Sequence, residues 1–263
     1  GGAPPIERRR AGQNNIVHRV LLLRYTLGSR HLGSGRRVSI RRHVSRIRHL
    51  NNAPITEAII DLRVVLPESF NPDQFRQIDE RLRQDFPQME DRKSAEAIVK
   101  FAEGRPAAEM RNLGLTGIWI KSQDGKSVGQ FRKDGFTFNR LKPYTSWEEI
   151  LPTGLRLWDE YVRLASPELV TRIALRYINH LTLPAAAGDL DALINTGPRL
   201  PQGVPHVLGS FFTGTVAEHT ERGLRANITQ ALEVGVKSQL PTLLLDIDAY
   251  RVGEFPPQRE LME

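Results

Sequence analysis

Three segments of the sequence place charged side chains at every second or fourth residue, the spacing that sets them on one face of an extended strand. The first carries Glu57, Asp61 and Arg63, the second Arg172, Arg176 and His180, and the third Asp246 and Asp248. Two chemistries follow from those residue types. Arginines grip carboxylate or phosphate groups through a planar fork of donors, which makes Arg172, Arg176, His180, Glu57, Asp61 and Arg63 a candidate surface for a ligand or partner protein. Alternatively, Glu57, Asp61, Asp246 and Asp248 hold a magnesium ion while the arginines hold a phosphate, as in a metal-dependent phosphate-ester or nucleotide-processing enzyme. If the segments share one sheet, the same groups can also pair with each other, each exposed pair contributing only ~0.2–1 kcal/mol.

Other chemistry finds little support. The chain has no cysteine, which removes disulfides, thiolate nucleophiles and cysteine–zinc sites and fits a reducing, cytoplasmic location. His180, His206 and His219 never pair at metal spacing. Gly125-Lys126-Ser127 mimics the end of a phosphate-binding loop, but Ile120 stands where the first glycine is needed. Neither a G-x-S-x-G elbow nor a dinucleotide glycine pattern occurs. No catalytic residue is assigned, and the binding reading implies no cofactor.

The elements that must position these charges read as follows. Ala58, Ile60, Leu62, Val64 and Leu66 form the apolar face of a strand ending at Pro67. Asn71 with Pro72 and Asp73 starts a helix whose stripe is Phe75, Ile78, Leu82 and Phe86. Residues 88–113 are ambiguous, with a short strand at Ala97–Ala102. From Leu115 to Tyr144 the alternation predicts an antiparallel meander, with a type I′ turn at Asp134-Gly135. Ser146 and Glu149 form a capping box for a helix buried through Ile150, Leu151, Leu155, Trp158, Val162 and Ala165, kinked at Pro152 or starting there. Trp147, Trp158, Tyr144 and Tyr161 are expected to pack in its core rather than line a ligand box. The central strand, around Ile173–Leu183, sets Tyr177 inward and its arginines outward. A short helix follows over GDLDALINTG, then a hairpin about Glu221-Arg222-Gly223, a last strand at Thr242–Val252 and a polar end too poor in apolar residues to pack. His219, beside Glu218 and Glu221, is expected to be exposed. The whole predicts an α+β fold, an antiparallel sheet or sheets with amphipathic helices on one face, and a duplicated strand–helix–three-strand unit over 48–145 and 146–252.

Charge is unevenly distributed. The 263 residues carry a net +7, yet residues 1–50 alone hold 12 arginines, no lysine and one acid, Glu7, or +11. The remaining 25 basic and 29 acidic residues give −4. Residues 1–47 are therefore expected to be a disordered or non-native basic extension, a basic arm or a transit peptide, with 48–263 a single folded domain. Nucleic acid is not an expected partner of the body; weak, salt-sensitive binding is expected only through residues 1–47. No apolar run approaches the ~18–20 residues of a membrane helix, and no membrane partner is expected.

Several segments together resemble an uncharacterised, sporadically distributed prokaryotic family over about residues 48–250. They are Asn52-Ala53-Pro54-Ile55-Thr56-Glu57-Ala58, Asp134-Gly135-Phe136 with Phe138, Pro143-Tyr144 with Trp147, Leu157-Trp158 with Tyr161, and Arg172 with Leu175-Arg176-Tyr177-Ile178-Asn179. The resemblance implies a fold beginning just before Asn52 and a further helical stretch beyond Glu263. It implies no activity, and a patchy distribution suggests a mobile-element or defence context. A non-enzymatic protein- or ligand-binding protein is the leading expectation.

Overall fold

The computed structural model describes residues 52–102, 105–183, 209–233 and 240–262 and, singly, Leu50, Ile194, Pro198 and Gly203; over 94–113 it describes the backbone alone. The basic N-terminal extension and, Ile194 apart, the short helix expected over GDLDALINTG lie outside the described residues. The strands are β1 (Ile55–Val65), β2 (Gln88–Ala102), β3 (Arg105–Lys121), β4 (Ser127–Arg132), β5 (Gly135–Leu141), β6 (Leu169–Thr182), β7 (Phe211–His219), β8 (Leu224–Glu233) and β9 (Thr242–Phe255). They form one nine-stranded sheet among the described residues, in the order β2-β3-β4-β5-β1-β6-β9-β8-β7. Every neighbouring pair is antiparallel. Among the described residues the α-helices are α1 (Glu80–Asp85) and α2 (Trp147–Ala165). Sheet dominates the fold, and β1 and β6, which carry most of the candidate charges, pair at its centre.

Local chemistry explains most boundaries. Asn71 and Gln74 make a reciprocal capping box, but it opens a short 3-10 segment, Pro72–Arg76, instead of the single helix expected. Asp79 caps α1 separately, its side chain accepting from the Arg81 N–H. The break keeps Phe75, Ile78, Leu82 and Phe86 all buried. Residues 88–102 and 105–113 belong to the long antiparallel β2–β3 pair, which the short strand at Ala97–Ala102 underestimates. The β4–β5 turn also differs from expectation. Arg132 pairs with Gly135, so Lys133 and Asp134 make the turn, and Gly135 alone has positive φ, at 150°. A Cβ there would approach the Leu62 carbonyl oxygen within 2.0 Å, so glycine is required by close approach of β1.

Helix α2 runs through Pro152, with Ser146 accepting from the Glu149 N–H at its start and Ser166 ending it in the left-handed region. Gly154 lets it lie close to the sheet, since a Cβ would meet Ile60 at 2.8 Å and Phe138 at 3.2 Å. Against β4 and β5 it packs an aromatic cluster: Tyr161 lies 5.6 Å from Phe131 and 5.5 Å from Trp158, ring centre to ring centre, and Trp158 lies 5.7 Å from Phe136. Trp158 and Tyr161 are fully buried, with Tyr144 and Trp147 packed at the margin. The polar C-terminal end does pack, contrary to expectation. A 3-10 turn at Arg259–Met262 buries Met262 in this core, and Arg259 bonds to Asp159 of α2. Two apolar side chains suffice there because the turn sits on an existing core.

Tyr177 is buried, as its period predicts, and its hydroxyl lies 3.1 Å from that of Tyr144. Burial raises both phenols above their ordinary pKa, so the pair stays neutral and hydrogen-bonded. Tyr177→Ala should cost about 3–5 kcal/mol in urea unfolding, and Tyr177→Phe about 1 kcal/mol. Equal costs would show that the hydroxyl pair, not the ring, holds this part of the core.

Candidate functional site

The strand register brings the predicted charges together on the sheet face opposite Tyr177. Asp61 of β1 lies across from Ala174, Ile59 from Arg176 and Glu57 from Ile178. On the other side of β6, Arg176 faces Asp248 and Ile178 faces Asp246. Alternation then puts Glu57, Asp61, Arg63, Arg172, Arg176, Asp246 and Asp248 on one face across three adjacent strands.

Arg172 is the hub. It donates to Asp61 Oδ2 at 2.7 Å and to Asp248 at 2.9 and 2.8 Å, bridging three strands, while its guanidinium stacks 4.5 Å over the Tyr250 ring. Asp61 also accepts from Thr137 at 3.2 Å and Arg132 at 3.3 Å. Asp248 accepts from Asn227 at 2.9 Å. Arg176 is only 3% exposed and reaches Asp246 at 3.2 and 3.4 Å. Glu57 accepts from Asn139 at 2.5 Å, and Asn139 accepts from Gln130 at 3.2 Å. The network runs without a gap from β4 to β8.

Burial shapes its charge states. Desolvation pushes the Asp246 carboxyl up to about 7; Arg176 opposes the shift, while Asp248 and Glu57 reinforce it. Desolvation also raises Glu57, against the hydrogen bond from Asn139. Arg176 is pushed down by burial and held up by Asp246 and Asp248. A guanidinium stays charged throughout the physiological range, so Asp246 is the member of the pair that titrates.

The expectation of an outward, solvated stripe needs correction. Arg176 is buried as an ion pair and Arg172 is half-buried, while His180 is exposed at the far end, its backbone N–H on the Pro54 carbonyl. Arg63 is half-exposed and bonds to Asp134 of the β4–β5 turn, with Asp61 at 3.8 Å. The four carboxylates of the magnesium reading, Glu57, Asp61, Asp246 and Asp248, each accept from an arginine or an amide. Among the described residues no cluster of three acids or histidines is arranged to hold a metal. Sequence reading missed Arg132, Thr137, Asn139 and Asn227. The signal was present, because each alternates with the apolar residues of its strand, but only the register shows which acids they reach.

No family model matches the chain, and no curated protein matches it significantly. Among the described residues, no helix is long and apolar enough to cross a membrane.

The raised Asp246 predicts a pH signature. Its ordinary value is 3.8, so between about 4 and 7 the folded protein holds a proton that the unfolded chain has lost. That contribution to stability is complete below about 4 and disappears as pH rises through 7. Urea midpoints of the wild type should therefore lose this contribution over that window, and Asp246→Asn should remove the corresponding slope. An identical pH slope in both proteins would contradict the assignment.

Proposed function

We propose that the chain belongs to the uncharacterised prokaryotic family it resembles and is a cytoplasmic, non-enzymatic binding protein. Its partner is a protein that docks on the sheet face bearing the arginine–carboxylate network. The fold we infer is α+β, with helices on one face and a duplicated unit. One feature of the strand order supports the duplication: β1 neighbours β5, the last strand of its meander, and β6 neighbours β9, the last of its own, although the first meander has four strands and the second three.

The observation that carries the binding reading is the contrast between charged and apolar groups on that face. Most of the charges are spent on one another, and among the described residues no three acids or histidines are arranged to hold a metal. Beside them Phe212, Val216 and Val252 stand 75%, 61% and 64% exposed. Register puts Val216 level with Asn227 and Asp248, and Val252 beside Arg172. Exposed apolar side chains around buried, mutually paired charge suit recognition better than catalysis. Phe212 and Val216 also sit on β7, an edge strand among the described residues, where a partner can add a strand of its own.

The test is affinity capture from native cells with the intact protein and with Phe212→Lys/Val216→Lys. A partner held by the wild type and lost by the variant, at unchanged melting temperature, is the expected result. A partner held equally by both, or none held by either, contradicts the proposal.

A further inference from the structure

One end of the same sheet face gathers arginines more densely than its acids can balance. Register runs from Arg172 through Arg63, Gly135, Arg132 and Gly117 to Arg92, one residue on each of six adjacent strands. The glycines between them have no room for a side chain. A Cβ on Gly117 would lie 2.2 Å from the Phe131 carbonyl oxygen, as one on Gly135 would meet Leu62. Four guanidiniums therefore share a row whose carboxylates are Asp61, Asp134 and Asp248.

Two of these arginines are incompletely satisfied. Arg132 is more than nine-tenths buried, and its Nε makes no hydrogen bond although Asp134 Oδ1 lies 3.1 Å away, out of line. Arg92 is half-buried, and among the described residues its guanidinium makes no hydrogen bond or ion pair. Burial and the neighbouring Arg132 and Arg63 charges depress it, with only Asp134 opposing. Both side chains are carried on anchored backbone: the Arg132 carbonyl accepts from the Tyr161 hydroxyl at 2.8 Å, and the Arg92 carbonyl accepts from Thr116 at 3.1 Å. Such like charges, held together in advance, are what an oxyanion would relieve.

We propose that Arg63, Arg92 and Arg132 form a binding site for an oxyanion, the carboxylate or phosphate group of a ligand, beside the Lys133–Asp134 turn. Half-exposed Arg63 and Asp134 form the open side through which the ligand enters, and Arg92 supplies the unused donors. This site stands independently of the partner-docking reading, which uses β7 at the opposite edge.

The experiment is a melting-temperature series on the full chain in inorganic phosphate, in acetate and in sodium chloride of equal ionic strength. Phosphate, acetate or both should raise the melting temperature by a few degrees above chloride. Arg92→Gln, and independently Arg63→Gln, should abolish that difference, while the charge-matched control Arg81→Gln retains it. Because every variant carries the same N-terminal arginines, binding there cancels. A response to phosphate alone assigns the site to phosphate groups, and a response to acetate alone or to both assigns it to carboxylates or to oxyanions generally. No response above chloride, or an undiminished response in both Arg92→Gln and Arg63→Gln, overturns the proposal.

Discussion

Arg172 binds Asp61 and Asp248 at once and so ties β1, β6 and β9 together from the middle of the sheet. Arg176 and Asp246 form a second, more deeply buried pair on the same face, and the polar face depends on both. Asp61 and Asp248 are buried, and a buried carboxylate without its arginine would carry an uncompensated charge. The same requirement fixes register. A slip of one residue between β1 and β6 would turn Asp61 into the aromatic core and Leu62 toward Arg172, which neither face tolerates. Apolar packing favours the sheet in general; the ion pairs select this alignment of it.

The two faces are mechanically joined. Tyr161 stacks in the aromatic core and yet holds the backbone of Arg132, whose side chain emerges on the polar face. Gly135 allows β5 to press against β1 at the turn that presents Asp134 to Arg63. Ile59, fully buried among the charges, shows that the polar face is itself partly a core. Its charges are therefore structural first, and the proposed binding falls to groups at the margins: Phe212, Val216, and the arginine row ending at Arg92.

Much of this was legible in the sequence because period two is a strong constraint. Alternation in ITEAIIDLRVV and in the segment around Tyr177 correctly separates the two faces, and helical spacing correctly buries Trp158 and Tyr161. Exposure of the charged face was misread, since alternation says which side a residue takes and not what surrounds it. Arg176 is the clearest case: its spacing suggested solvent, and its cross-strand acids bury it. Turn chemistry misled at Asp134-Gly135, where close approach of β1 rather than a left-handed turn explains the glycine. The long β2–β3 pairing lacked clean alternation in the sequence, and most of it extends past the five residues of β3 that β4 reaches. Thr137, Asn139 and Asn227 show the same limit, because no local pattern encodes a partner some tens of residues away.

Arg176 and Asp246 are buried together, and if each holds the other's charge neither tolerates the loss of its partner. A double-mutant cycle with Arg176→Leu, Asp246→Leu and the double variant tests it most directly, by urea unfolding at pH 8, where both groups are charged. Each single change should cost about 3–5 kcal/mol by stranding the other charge. The double variant should cost far less than their sum. Costs that add to within about 0.5 kcal/mol would show that the two residues do not depend on each other and would contradict the account.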